Sequence, residues 1–273
     1  MRTGMCLVLT CTLTLLASCA PDTSTSPATL IVNANVVDGS GAPGRELDVR
    51  LDAGRIVAIG EIEARPDDII VDASGLTLAP GFIDVHSHHD DGLLENPGAL
   101  AAVSQGITTI VAGMDGGQQY PLGEFFENLE SSPAAVNVAS YAGFGLLRGR
   151  VLEDDYQRFA TDDELNEMGE LLRAEMEAGA LGVASGLEYD PGSFSSTREL
   201  VALAKIASAY GGRYVSHIRS EDQYFWEAIH EIISIGHEAD IPVHISHVKL
   251  AMTRWWGQAG RLTARLDGAR EDG

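Results

Sequence analysis

From Pro80 onward the chain alternates short apolar β-type runs with polar segments of helical length, and this pattern constrains the fold more than any other feature. The β-type runs fall at residues 82–86, 108–112, 137–141, 181–184, 214–218 and 242–247. Helical segments fit between them at 97–105, 122–129, 162–178, 197–210 and 223–239, and Thr161 with Glu164 forms a capping-box signature at the start of the third. The runs are apolar nearly throughout, as strands covered on both faces are, and such a repeat builds parallel β/α units in an α/β fold. The count is about six units, whereas a closed barrel needs eight. After His247 one helix-like stretch remains, at 258–270. The residues leave two arrangements open, an open sheet and an incomplete TIM-type (β/α) barrel of which the chain carries part.

Residues 29–80 read differently. Short β runs at 30–32, 48–51, 55–59 and 69–71 are separated by turn signals such as Asp38-Gly39 and Asp52-Ala53-Gly54, which predicts a small N-terminal β domain, a sandwich or a sheet. Ahead of it, Arg2 precedes an apolar run from Cys6 to Ala17 that is too short to span a bilayer and ends in Leu16-Ala17-Ser18-Cys19. This resembles a bacterial lipoprotein signal in which Cys19 is lipidated; a plain secretory signal is the alternative. The expected organisation is a signal peptide over 1–19, a polar tether over 20–28, the β domain over 29–80 and the partial barrel over 81–273. The expected location is the periplasm-facing side of the cell envelope, held to the membrane by the lipid.

All three cysteines, Cys6, Cys11 and Cys19, lie in that leading segment. The domains beyond it hold no disulfide and no thiolate ligand, so any metal site there is built from His, Asp or Glu. The net charge of −22 argues against a nucleic-acid partner, which needs a basic surface. Oligomeric state is not readable from the sequence.

Chemistry concentrates at the ends of the β runs. Pro80-Gly81-Phe82-Ile83-Asp84-Val85-His86-Ser87-His88 ends an apolar strand in His-x-His, and residues two apart on a strand share a face, so His86 and His88 can hold one cation. On its own the pair is equally consistent with two surface histidines. His217 and His247 close two later β runs, and several histidines at the same ends of successive strands are hard to bury together without a metal. His244 lies three residues before His247 and faces the other way, while His230 and His237 fall on a predicted helix surface. Asp115, in the turn Gly113-Met114-Asp115-Gly116-Gly117, is a further ligand candidate or an ordinary Asp-Gly turn.

The opening Pro-Gly-Phe-Ile-Asp-x-His-x-His is similar to that of the amidohydrolase superfamily. The run Gly-Ala-Leu-Gly-Val-Ala-Ser-Gly-Leu-Glu-Tyr at 179–189, Ser-His-Ile-Arg-Ser-Glu at 216–221 and Ile-Ser-His-Val-Lys at 245–249 resemble the N-acyl-D-amino-acid deacylase (D-aminoacylase) branch, over residues 29–273. The resemblance implies zinc, one or two ions, held by His86 and His88 at one position and by His217 and His247 at the other. It implies that Tyr189 and Lys249 bind the carboxylate of a small-molecule N-acyl amino acid. Where the family has Gly-x-Cys-Gly, this chain has Gly113-Met114-Asp115-Gly116, so a harder carboxylate stands in place of a thiolate. No lysine in 181–189 matches the carboxylated-lysine bridge of the wider superfamily. The general acid/base aspartate is expected beyond Gly273, so no catalytic residue of that kind is expected in this chain. The implied reaction is metal-dependent hydrolysis of a linear amide, with this chain impaired alone; the alternative is a non-catalytic metal- or ligand-binding lipoprotein on a hydrolase scaffold.

Overall fold

A computed structural model describes residues 27–273. The expected signal segment with Cys19, and most of the tether, lie outside the described residues. The chain divides into two compact units between Pro80 and Gly81.

The first unit comprises β1 (Thr29–Val36), β2 (Arg45–Asp52), β3 (Arg55–Gly60), β4 (Ile69–Asp72) and β5 (Thr77–Leu78). They form one mixed sheet in the order β3-β2-β1-β4, with β5 also on β1. Ala53 (φ 46°) and Gly54 (φ 73°) join β2 to β3, and two successive positive φ values are what a tight hairpin of right-twisted strands requires. Leu30, Ala34 and Val49 are buried at the middle of the sheet. The second layer of a sandwich is not among the described elements.

The second unit comprises β6 (Phe82–Asp84), α1 (Leu100–Val103), β7 (Ile107–Ala112), α2 (Leu122–Ser131), β8 (Asn137–Ser140), β9 (Ala142–Gly143), α3 (Phe144–Leu152), α4 (Asp162–Glu177), β10 (Gly182–Gly186), α5 (Thr197–Ala209), β11 (Arg213–His217), α6 (Phe225–Ala239), β12 (Val243–Ile245) and α7 (Ala259–Glu271). Its strands pair in parallel as β6-β7-β8 and β12-β11-β10-β9. Only Tyr141 separates β8 from β9. Bonds from Tyr141 N to Ala112 O (3.0 Å) and from Leu181 N to Ser140 O (2.9 Å) carry the ladder across the gap. Neighbours therefore follow chain order throughout, without the reversal that marks a doubly wound sheet.

The sheet is strongly curled. In a flat sheet β6 and β12 would stand about 24 Å apart, from five spacings of about 4.8 Å. Instead the rings of His86, after β6, and His247, after β12, have centroids 5.6 Å apart. No pairing between β6 and β12 closes the ring among the described residues. On the outside, Leu147, Met168, Leu172, Leu200, Leu203, Phe225 and Ile229 are essentially fully buried between helices and strands. Each such side chain contributes roughly 1.5–3 kcal/mol relative to exposure.

Helix α3 was not expected from the sequence. Its segment Phe144-Gly145-Leu146-Leu147-Arg148-Gly149-Arg150 carries two glycines, which depress helical propensity, and tertiary burial of Phe144, Leu147, Arg148 and Leu152 overrides them. Arg148, wholly buried, donates Nε–H to Glu199 (3.0 Å) and Nη1–H to the carbonyls of Tyr156 (2.8 Å) and Pro191 (2.9 Å). The helix expected at 97–105 shrinks to Leu100–Val103, entered through Ala99 in the left-handed region (φ 42°). The capping box at Thr161 and Glu164 forms as the sequence indicates. Among the described residues no helix is long and apolar enough to cross a membrane.

Candidate metal centre

Strand β6 ends at Asp84, so His86 and His88 stand just beyond it rather than within it. The chain is still held beside β7, because Ser87 N donates to Val111 O (3.0 Å) and His86 N donates to Asp84 Oδ1 (3.2 Å). The backbone bends at Val85–His86, and the rings of His86 and His88 meet edge to face with centroids 5.4 Å apart.

Asp115 sits in a short 3-10 turn, Met114–Gly116, after β7, with φ 56° and ψ 26°. Glycines make this turn possible. A Cβ on Gly113 would lie 2.1 Å from the Tyr141 carbonyl oxygen, and one on Gly186 would lie 2.2 Å from the Asp115 carbonyl oxygen. The turn therefore packs directly on the neighbouring strands, and its carboxylate is delivered over the strand ends. Asp115 Oδ2 lies 3.3 Å from His86 Nε2 and 3.4 Å from His88 Nε2.

His217 is the last residue of β11, and its ring is almost wholly buried. His247 follows β12 by two residues. His217 Nδ1 lies 3.1 Å from His247 Nε2, with the rings nearly perpendicular. Two ligand triads result, His86–His88–Asp115 and Asp115–His217–His247, each with donor atoms within 4.8 Å of one another. Asp115 belongs to both. All five ligand candidates of the sequence are brought together. His244 is exposed and belongs to neither triad, and His230 and His237 are exposed on α6.

Tyr189 and Lys249 also reach the centre. The Tyr189 hydroxyl lies 3.1 Å from His217 Nδ1. Burial, and then the carboxylates of Asp115, Glu221 and Glu188, hold its phenol above the ordinary tyrosine range. Lys249 Nζ makes an ion pair with Glu221, which holds its ammonium above the usual lysine value.

Sequence reasoning gave no role to Glu188 and Glu221. Glu188 Oε2 lies 3.1 Å from His217 Nε2, its Oε1 accepts from Glu221 N at 2.8 Å, and Glu221 Oε1 is in hydrogen-bond contact with His247 Nδ1. With His217 these two form a third cluster of potential ligands. The available signal was a carboxylate just past each of two strand ends whose tips already carry chemistry.

No family model matches the chain. It is 36% identical over 244 residues to D-aminoacylase of Alcaligenes xylosoxydans xylosoxydans, an alignment covering 81% of this chain and 50% of that protein. It superposes on the crystal structure of N-acyl-D-glutamate deacylase from Bordetella bronchiseptica, complexed with zinc and a phosphonate mimic of the tetrahedral intermediate. That match has a TM-score of 0.85, 35% identity, and coverage of 91% of this chain and 57% of that one. Solved D-aminoacylase structures, one described as defining a subset of amidohydrolases and one as having a binuclear metal centre, match with TM-scores of 0.81 and 0.82, 31% identity, and coverage of 89% of this chain and 56% of theirs. The fold is that of the amidohydrolases. Within them the chain is homologous to the D-aminoacylase and N-acyl-D-amino-acid deacylase family, and it spans about half the length of the curated relatives it matches.

Proposed function

We propose that the protein hydrolyses the amide of N-acyl-D-amino acids at a zinc centre held by His86, His88, Asp115, His217 and His247, on a partial (β/α) barrel. The observation that carries this is the convergence of histidines from three strand ends on the carboxylate delivered by a fourth. The residues fit a cation. Asp115 directs Oδ2 at two imidazoles, while its Oδ1 is buried with no hydrogen-bond partner, as is His86 Nδ1. Nearby carboxylates outnumber the single ammonium of Lys249, leaving the site negative and suited to a divalent ion. Two triads sharing Asp115 accommodate one ion or two. The relatives' zinc and binuclear centres support the metal's identity, and the deacylase and aminoacylase activities for which they are named support amide hydrolysis.

A divalent ion there supplies Lewis acidity toward a carbonyl and eases ionisation of a water. Tyr189 and Lys249, a phenol and an ammonium beside the ligands, are suited to orienting the substrate carboxylate. We further propose that the acid/base aspartate lies on a later strand than β12, and we assign that role to no residue of this chain. A non-catalytic scaffold finds no support among the relatives. We also propose that 1–19 is a signal peptide and that lipid on Cys19 holds the protein at the envelope, on the strength of the Leu-Ala-Ser-Cys run.

The test is amine release by the complete gene product, loaded with zinc, from N-acetyl-D-amino acids and their L enantiomers. The expected result is hydrolysis of D substrates, abolished by chelation and restored by zinc. No release from any N-acyl-D-amino acid in the zinc-loaded protein refutes the proposal.

A further inference from the structure

We infer that Glu221 and Glu188 are positioning residues that select which ring nitrogen of His247 and His217 faces the centre, and that Glu221 ties Lys249 to the same scaffold. The inference rests on the metal-centre reading above. An ionised carboxylate can only accept hydrogen bonds. Glu221 Oε1 engages His247 Nδ1, so the proton of a neutral ring is drawn to Nδ1 and the lone pair is left on Nε2. Glu188 Oε2 engages His217 Nε2 at 3.1 Å, which puts the proton there and leaves the lone pair on Nδ1. The two freed nitrogens are the ones that face each other at 3.1 Å. The Tyr189 hydroxyl, 3.1 Å from His217 Nδ1, can donate to that nitrogen but not to its neighbour, so the opposite tautomers preset by the carboxylates leave the His247 Nε2 lone pair, and with it that of His217 Nδ1, turned to the place a cation would occupy.

The two carboxylates are themselves fixed. Glu221 is almost wholly buried, its backbone N–H donates to Glu188 Oε1 (2.8 Å), and its Oε2 takes Lys249 Nζ. Glu221 thus orients a ligand with one oxygen and a substrate-facing ammonium with the other. Outer carboxylates that orient ligating histidines are worth about 10–100-fold in metal affinity.

The experiment uses the metal-free full chain with ¹⁵N-labelled histidine, at a pH of about 8.5, well above the value of a free imidazole, and reads ring tautomers by long-range ¹H–¹⁵N correlation. The expected result is an Nδ1–H tautomer for His247 and an Nε2–H tautomer for His217. Glu221→Ala should release only His247 to a tautomer mixture, Glu188→Ala should release only His217, and zinc titration of Glu221→Ala should show about 10–100-fold weaker binding. Either histidine in the opposite tautomer in the unsubstituted chain overturns the inference, whether or not the variants fold. So does Glu221→Ala with zinc affinity equal to that of the unsubstituted chain. The expected tautomers without any zinc uptake would refute the metal-centre reading while supporting the positioning roles.

Discussion

Replacing Asp115 with glycine separates what this residue does for the fold from what it does for the metal. Its backbone lies in the left-handed region (φ 56°, ψ 26°), which costs a non-glycine residue roughly 1–2 kcal/mol, with Asp at the lower end. Its side chain is only 16% exposed, and Oδ1 has no partner, a burial worth about 1–3 kcal/mol of destabilisation in the absence of a cation. Glycine relieves both and loses about 0.5–1 kcal/mol to backbone entropy. Asp115→Gly in chelator should therefore be more stable than the unsubstituted chain by about 1–3 kcal/mol, a Tm rise of roughly 3–10 °C for a chain of this size. With zinc the order should invert. Ligand at a thousand times Kd adds about 4 kcal/mol to a chain that binds it, and Asp115→Gly has lost the carboxylate common to both triads. Asp115→Ala keeps the left-handed strain, so it should gain about 1 kcal/mol less than the glycine variant in chelator. Calorimetry with and without zinc reads all of this. An Asp115→Gly variant that is less stable in chelator, or that gains as much from zinc as the unsubstituted chain, refutes the reasoning.

Other expectations follow from particular contacts. Arg148→Ala leaves the buried carboxylate of Glu199 without its ion-pair partner and should cost about 3–5 kcal/mol in urea denaturation, with a loss below about 1 kcal/mol contradicting the role. Glu164 is held at about 2, first by Arg158 and then by the Thr161 backbone. A depressed carboxylate stabilises the fold above its unfolded value and loses that contribution as pH falls, here between about 4.5 and 2, so Glu164→Gln should flatten the stability–pH curve in that window by no more than about 1 kcal/mol, since solvent screens the pair. An unchanged curve would remove Glu164 from the account. Lys249→Met in the complete protein should raise KM for N-acyl-D-amino acids about tenfold or more, with zinc content unchanged; an unaltered KM refutes its substrate role.

The parts of the site that were legible in the sequence are those where residue type and strand phase coincide. His-x-His beyond an apolar strand, and single histidines ending two later strands, announce a common rim because strand ends in a parallel sheet collect on one side. Asp115 was legible as a candidate because it follows an apolar β run and stands where the resembled family has a cysteine, although its flanking glycines read equally as an ordinary turn, and its left-handed backbone and its place in both triads emerge only in three dimensions. Glu188 and Glu221 were not legible as orienting groups. A carboxylate after a strand reads as a turn residue, and its value here depends on a side-chain and backbone network crossing from 188 to 247. Helix α3 was hidden by its glycines. The curl of the sheet was hidden because periodicity counts strands but does not report the angle between them, and it is this curl that brings His86 to within ring contact of His247.

The most direct measurement is zinc binding by the purified chain after exhaustive chelation, by titration calorimetry and elemental analysis, alongside a variant with His86, His88, His217 and His247 replaced by alanine. The expected result is uptake of one or two ions per chain that the variant lacks. A folded chain that takes up no zinc, or one whose uptake survives loss of all four histidines, would contradict a metal centre at these strand ends.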